Sequence, residues 1–184
     1  LVSARALLAR AHREGLSYYP SPESWQDEVL YFLLPDRFHD GKAQTRPLLS
    51  RAEIANLRAS GSRPGWSWKA WADSGKRWQG GTLRGVRAGL DYLQGLGVTA
   101  LWIGPVFKQR SRLDTFHGYG IQDFLEVDPR FGNREDLLDL VADAHTRGMR
   151  IILDIIVNHS GDGWGYLGPG ASLSEINVAA PYRP

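Results

Sequence analysis

The sequence predicts an α/β fold in which parallel strands alternate with helices. Three short apolar runs, at about residues 29–34, 98–103 and 151–157, are rich in strand-forming residues. Amphipathic helical patterns precede the second and third runs. Returns of this length join parallel strands through right-handed crossovers, which leaves two architectures, a doubly wound sheet and a (β/α) barrel. In either architecture, functional residues are expected where the strands end.

The amino-terminal residues 1–28 are predicted to form a helix and a lead-in to the first strand. Leu7 and Leu8 lie at helical spacing among arginines, which favours a packed surface helix over a helix on a membrane surface. The first strand follows this segment and is closed by Pro35. Asp36 is therefore placed at the carboxyl end of the first strand.

A long connection without sustained periodicity follows, at residues 39–81. Connections of this length are uncommon in compact domains and tend to be functional. Indole rings in such a loop either stack on sugar faces or build a small local core, and the second interpretation is favoured. The tryptophans of this loop are Trp66, Trp68, Trp71 and Trp78.

Two helices and the third strand make up the regular part of the sequence. Thr82 is the predicted cap of a helix that ends at Gly97, and Asn133 with Asp136 predicts a capping box for the next helix. The third apolar run is continuous rather than alternating, which is typical of a strand covered on both faces. The predicted apolar helix faces comprise Leu83, Val86, Leu90 and Leu93, then Leu137, Leu138, Val141 and Ala144.

The composition excludes several classes of protein. The chain is 23% charged and 42% hydrophobic, as in average globular proteins. A net charge of +2 gives little reason to expect nucleic-acid binding, and arginine content is the only feature that suggests it. The absence of cysteine excludes a disulfide scaffold, a thiolate metal site and a cysteine nucleophile. No apolar run approaches the roughly 20 residues of a membrane span.

The residues that carry chemistry follow the second and third strands. Asp154 is the most informative, because a carboxylate within an apolar strand is costly unless a cation meets it or it caps loop amides. Asn158 and His159 open the next loop and supply an amide oxygen suited to a hard cation and an imidazole suited to a hydroxyl. The segment from the second strand to about Arg130 is predicted as a loop, with aromatic and polar residues at 115–124. These residues alone support only a polar, sugar-like ligand.

Four ordered motifs resemble the opening third of the catalytic barrel of the α-amylase superfamily of retaining glycoside hydrolases and transglycosidases. They are VLYFLLPDRFHDG, GGTLRGV with LDYLQGLGVTALWIGPVF, FHGYGIQDFLEVDPRFG, and LDIIVNHSGD. The resemblance implies that residues 29–160 form the first three β/α units of a TIM-type (β/α)8 barrel, incomplete in this chain. It also implies that residues 161–184 begin the excursion that relatives carry after the third strand.

The resemblance implies roles for four residues of this sequence. Asp154 matches an aspartate that braces an arginine near the nucleophile. Tyr119 matches a tyrosine whose ring stacks on the sugar in the cleaved subsite, and His159 matches a histidine that binds the same sugar. Asn158 matches an asparagine that often contributes to a structural calcium site.

The sequence also departs from the family pattern. Gly120 follows the Gly-Tyr pair, where relatives often have an aromatic residue. Asp40 fits a second calcium site found in some relatives, but Lys42 stands where an oxygen ligand is expected and Thr82 replaces an acidic residue. Because a cation is an unfavourable neighbour for calcium, no second calcium is expected at Asp40.

The family's nucleophile and general acid belong to later strands, and no matching residue occurs among the four motifs. A full barrel needs roughly 250 residues, so the chain is expected to be part of a longer enzyme that acts on α-glucan or maltooligosaccharide. The alternative is a non-enzymatic, amylase-like binding or interaction domain. Alone, the 184 residues are expected to be inactive and to self-associate in place of pairing with the remainder of the barrel. Neither a nucleic acid nor a membrane is expected as a partner.

Overall fold

The computed structural model describes residues 3–15, 18–42, 45, 50–52, 55–56, 68–109 and 114–161. Predictions outside this part concern Trp66, residues 162–184, and the side chains of Leu7, Leu8, Trp68 and Trp71. Within the described ranges, no helix is both long and apolar enough to cross a bilayer.

Six α-helices, one 3-10 turn and five strands have their bounds within the described residues. The amino-terminal elements are α1 (Ala4–Arg13), a 3-10 turn (Trp25–Asp27), β1 (Leu30–Leu33), α2 (Pro35–Phe38) and α3 (Trp68–Ser74). The later elements are α4 (Leu83–Ala88), α5 (Leu90–Gly95), β2 (Ala100–Ile103), β3 (Phe107–Gln109), β4 (Ile121–Val127), α6 (Arg134–Thr146) and β5 (Arg150–Leu153).

The predicted strands β1, β2 and β5 form one sheet in that order, and both pairings are parallel. Leu33 pairs with Ile103, which pairs with Leu153, so all three strands end at the same edge. This arrangement confirms the predicted α/β fold with a parallel sheet. The edge at which the strands end is the one where functional residues were expected.

The third strand is shorter than predicted, and Asp154 lies just beyond it. The backbone N–H of Asp154 still donates to the Ile103 carbonyl at 3.0 Å, but β2 ends there and the ladder with it. Ile155 and Val157 are 62% and 92% exposed instead of buried in a strand. The prediction of a strand over 151–157 was therefore wrong in its length, because the strand covers only Arg150–Leu153, which is partly buried in this chain.

The predicted loop after the second strand contains a second, two-stranded sheet. Strands β3 and β4 pair antiparallel with two irregularities in register. The sequence of β4, IQDFLEV, lacks a clean alternation of apolar and polar residues. Of its seven side chains, one is buried, three are partly exposed and three are exposed. This hairpin was not predicted from the sequence, because neither strand presents one continuous apolar face.

The helix predicted from Thr82 to Gly97 is divided at Gly89. A Cβ at Gly89 would lie 2.6 Å from the ring of Phe38, so the backbone there approaches α2 closely. The predicted apolar face is nevertheless correct, because all four of its residues are completely buried: Leu83, Val86, Leu90 and Leu93.

Helix α6 begins with the predicted capping box. The Asn133 side chain accepts from the Asp136 N–H at 2.8 Å, and the Asp136 carboxylate accepts from the Asn133 N–H at 3.1 Å. Ala144 of the predicted apolar face is buried in the core, but the prediction was wrong for Leu138, which is 55% exposed. Leu140, which was not predicted, is completely buried.

Of the four tryptophans in the loop of residues 39–81, Trp78 is the one whose side chain the structure describes. Its contacts distinguish a structural indole from one that is free to stack on a sugar. Its ring centroid lies 5.1 Å from that of buried Phe131, and the guanidinium of Arg130 lies 3.9 Å from its ring. Trp78 therefore has a structural role, but it packs against the main hydrophobic core and not in the small local core that was predicted for the loop.

Candidate functional site

The carboxyl edge of the parallel sheet brings together polar and aromatic residues from two segments. Asp154 follows β5, and Tyr119 lies in the turn that leads into β4. Gly118 makes this turn possible, because it has a φ of +90° and a Cβ there would overlap the Pro105 carbonyl. The turn consequently packs on the residues that follow β2.

Tyr119 and Asp154 are joined by a hydrogen bond. The phenol O–H donates to Asp154 Oδ2 at 2.7 Å, and both residues are half-buried. The bond to Asp154, aided by burial, raises the pKa of Tyr119. The protonated phenol makes the bond, so its stabilisation is complete below a pH of about 10 and is lost as the pH rises through the raised pKa.

His159 reaches the same turn from the loop after β5. Its Nε2 lies 3.2 Å from the Tyr119 carbonyl oxygen, and its Nδ1 lies 3.4 Å from the Asn158 amide nitrogen. A carbonyl can only accept, so Nε2 carries the proton and Nδ1 accepts from the amide N–H. His159 and Asn158 are both exposed, so a ligand that replaces the long contact from Asn158 can reach Nδ1.

Two further residues of the edge were not predicted as site residues. His117 Nδ1 accepts from the Tyr119 N–H at 3.1 Å, and burial lowers the pKa of this histidine, which favours its neutral form. The Arg37 guanidinium lies 3.6 Å from the ring centroid of Phe116, which packs edge-on against His117. These contacts link α2 to the turn that holds Tyr119. A sequence search could have found His117 only through its position beside Tyr119.

The carboxylate of Asp36, the residue predicted at the end of the first strand, accepts hydrogen bonds from the backbone of another segment. Only 2% of Asp36 is exposed, and its two oxygens accept from the N–H groups of Gln79 and Gly80 at 2.9 to 3.0 Å. The Arg37 Nε completes its contacts at 2.9 Å. Asp36 therefore fixes the segment ahead of α4, and its oxygens are already occupied.

The calcium predictions concern Asn158 and Asp40. Calcium takes six to eight oxygen ligands, usually including carboxylates. The part of the chain that is described contains no group of three or more carboxylate or histidine side chains able to hold a metal. Asn158 is exposed, with its amide nitrogen toward His159, and Asp40 Oδ1 accepts from the Lys42 N–H at 2.9 Å. The described residues by themselves do not fit a calcium ion.

The chain is similar to enzymes of one family over most of its described length. A cyclomaltodextrinase from Geobacillus thermopakistaniensis is 33% identical over 172 residues, which are 94% of this chain and 25% of the relative. A periplasmic alpha-amylase from Escherichia coli is 36% identical over 157 residues, 77% of this chain and 20% of the relative. The chain thus spans a quarter or less of the length of these curated relatives.

A solved structure and a family model agree with these relatives. The crystal structure of an alpha-amylase from Geobacillus thermoleovorans, complexed with acarbose, superposes with a TM-score of 0.55 at 36% identity, covering 77% of this chain and 25% of that one. The family model described as alpha amylase, catalytic domain, matches residues 32–172. Because this match covers more than half of the chain, the protein belongs to the alpha-amylase catalytic-domain family.

Proposed function

We propose that this chain forms the first three β/α units of a (β/α)8 barrel in a retaining glycoside hydrolase or transglycosidase that acts on α-glucans. The paired residues Phe32 and Trp102 support the barrel, because they are 48% and 40% exposed while the next pair in register, Leu33 and Ile103, is buried. An apolar, exposed sheet face is what the interior of an incomplete barrel presents. The missing strands would cover it, and self-association would cover it when the chain is alone.

The observation that carries the proposed sugar site is the hydrogen bond between Tyr119 and Asp154. It fixes the Tyr119 ring at the strand-end edge, and the imidazole of His159 contacts the backbone carbonyl of the same residue. Sugars present apolar faces to aromatic rings and hydroxyl groups to polar side chains. Tyr119 would then stack on the sugar, and His159 Nδ1 would accept from one of its hydroxyls in place of the Asn158 amide, in the subsite where cleavage occurs.

The chemistry itself requires groups that the four matched motifs do not supply. Retaining hydrolysis uses two carboxyl groups about 5 to 5.5 Å apart, one as nucleophile and one as acid and base. In this proposal both belong to later strands of the barrel. Asp154 acts as a positioning residue, holding Tyr119 and bracing an arginine near the nucleophile. A calcium ion at Asn158 belongs to the proposal only if residues outside the described part supply most of its ligands.

The first prediction concerns the activity of the chain alone. The purified 184-residue chain is expected to release no sugar above background from starch, a maltooligosaccharide or an activated α-glucoside, because it lacks the catalytic carboxylate pair. A reducing-sugar assay with a chromogenic substrate measures this. Turnover that is abolished by a substitution within these residues would show that the chain contains its own catalytic pair.

The second prediction tests the sugar site in the protein that includes the rest of the barrel. Tyr119→Ala and His159→Ala are each expected to lower kcat/KM on a maltooligosaccharide by about tenfold or more, since each removes a contact to the reacting sugar. The thermal unfolding midpoint is expected to change little for His159→Ala and to fall by a few degrees for Tyr119→Ala, which also loses its bond to Asp154. Steady-state kinetics and a thermal melt on the same preparations make the comparison.

Matched controls for these two variants lie elsewhere on the surface. Tyr92 in α5 is 62% exposed, and His12 in α1 is also exposed. Tyr92→Ala and His12→Ala are expected to leave kcat/KM unchanged. If Tyr119→Ala and His159→Ala reduce stability while their kinetics match the controls, the two residues are structural and the sugar site is refuted.

A further inference from the structure

Two glycines cross at the candidate site, one from the turn ahead of β4 and one from the loop after β5. A Cβ on Gly161 would lie 2.5 Å from the Gly120 carbonyl oxygen and 2.7 Å from its carbonyl carbon. Both distances are shorter than real Cβ contacts, and the atoms they meet belong to the backbone. The two chain segments can approach this closely only because position 161 has no side chain.

The requirement for glycine at this crossing is one of space. Neither Gly120 nor Gly161 has a positive φ, whereas neighbouring Gly118 does. An alanine could therefore adopt the backbone conformation at either position without strain. The effect of adding a methyl group at position 161 therefore reports the close approach of the two segments.

The crossing lies between two hydrogen bonds that join the same segments. His159 Nε2 bonds the Tyr119 carbonyl on one side, and the Gly161 N–H donates to the Ile121 carbonyl on the other. Only Ser160 separates His159 from Gly161, so the distance between the two segments at the crossing sets how closely the imidazole approaches Tyr119. A methyl group at position 161 would push the two segments apart and lengthen both hydrogen bonds.

The segment that carries Gly120 is anchored in the protein interior. The Gly120 N–H donates to Gln109 Oε1 at 3.0 Å, and the Gln109 N–H donates to Asp128 Oδ2 at 2.9 Å. Gln109 is 4% exposed and Asp128 is completely buried. Because the Gly120 side is fixed by buried bonds, the exposed loop of residues 158–161 is the side that moves when the crossing is filled.

We propose that the Gly120–Gly161 crossing is a positioning device for His159. It holds the imidazole where Nε2–H donates to the Tyr119 carbonyl, and it thereby selects the Nε2–H tautomer. The consequence for sugar binding rests on the proposed function.

The test records the side-chain nitrogen resonances of His159 by NMR in the 184-residue chain. In the wild-type chain we expect the Nε2–H tautomer, and in Gly161→Ala a mixture of the two tautomers, because Tyr119 no longer selects one. Gly95→Ala is the matched control: this glycine has no atom within 4 Å of its Cβ position and no positive φ. It is expected to leave the His159 resonances unchanged.

The wild-type chain keeps the test decisive if Gly161→Ala does not fold, because an Nδ1–H tautomer of His159 there would overturn the proposed device. In Gly120→Ala, the new Cβ would meet the flexible side chains of Thr115 and Gln109 at 3.0 to 3.2 Å and not the Gly161 backbone, so only a small change at His159 is expected. Unchanged His159 resonances in a folded Gly161→Ala would likewise overturn the device.

Kinetics of the same variants separate this inference from the proposed function. In the protein with the rest of the barrel, Gly161→Ala is expected to lower kcat/KM about tenfold, and no further when combined with His159→Ala. A changed tautomer with unchanged kcat/KM would support the positioning device and refute the role of His159 in sugar binding. Full additivity of the two substitutions would refute positioning through His159.

Discussion

The substitution Asp36→Ala is expected to reduce the free energy of unfolding by about 3 kcal/mol, because it leaves buried donors without an acceptor. The carboxylate is 2% exposed and accepts from the N–H groups of Gln79 and Gly80 and from Arg37 Nε. Its loss would release the segment that leads into α4. Urea denaturation of the 184-residue chain measures the change.

Two control variants separate the buried carboxylate from charge alone. Asp36→Asn keeps one oxygen and is expected to fall between wild type and Asp36→Ala. The Asp91 side chain is 81% exposed and pairs with Arg147 at the surface, so Asp91→Ala is expected to cost less than about 1 kcal/mol. Equal losses for Asp36→Ala and Asp91→Ala would show that Asp36 contributes no more than a surface ion pair.

The parallel sheet could be predicted because its signals are local. Each strand is a short apolar run, and the helices between the strands are marked by caps such as Thr82 and Asn133, whose side-chain bonds are present. The end of the third strand could not be predicted in this way. Ile155 and Val157 are strand formers, but pairing stops where β2 stops, and the length of a partner strand is not encoded in the residues of β5.

The sequence predicted which residues belong to the candidate site but not which of them contact one another. Tyr119, Asp154 and His159 were named separately, and the sequence interpretation left Asp154 with either an arginine or loop amides as partner. The structure gives it a tyrosine hydroxyl instead, at 2.7 Å. The two residues are 35 positions apart and belong to different elements, so no periodicity relates them. Their assigned roles in catalysis stay predictions.

Contact with Tyr119 also changes the expectation for Asp154 in the chain alone. A carboxylate without a partner inside an apolar strand would be removed at no cost. Asp154 is instead half-buried, lies beyond the strand and accepts a hydrogen bond. In the 184-residue chain, Asp154→Ala and Tyr119→Phe are each expected to cost about 1 kcal/mol, and the double variant little more than either, because both remove the same bond.

In the protein with a complete barrel, Asp154→Ala is expected to cost about 3 to 5 kcal/mol, because it also leaves the proposed arginine buried without its partner. Asp154→Asn keeps an oxygen for Tyr119 but loses the charge, so it should be nearly neutral in the chain alone and costly in the complete protein. Urea denaturation of both forms decides between the two roles. If Asp154→Ala destabilises both forms equally, Tyr119 is the only partner of Asp154 in both forms, and the proposed contact between Asp154 and an arginine does not exist.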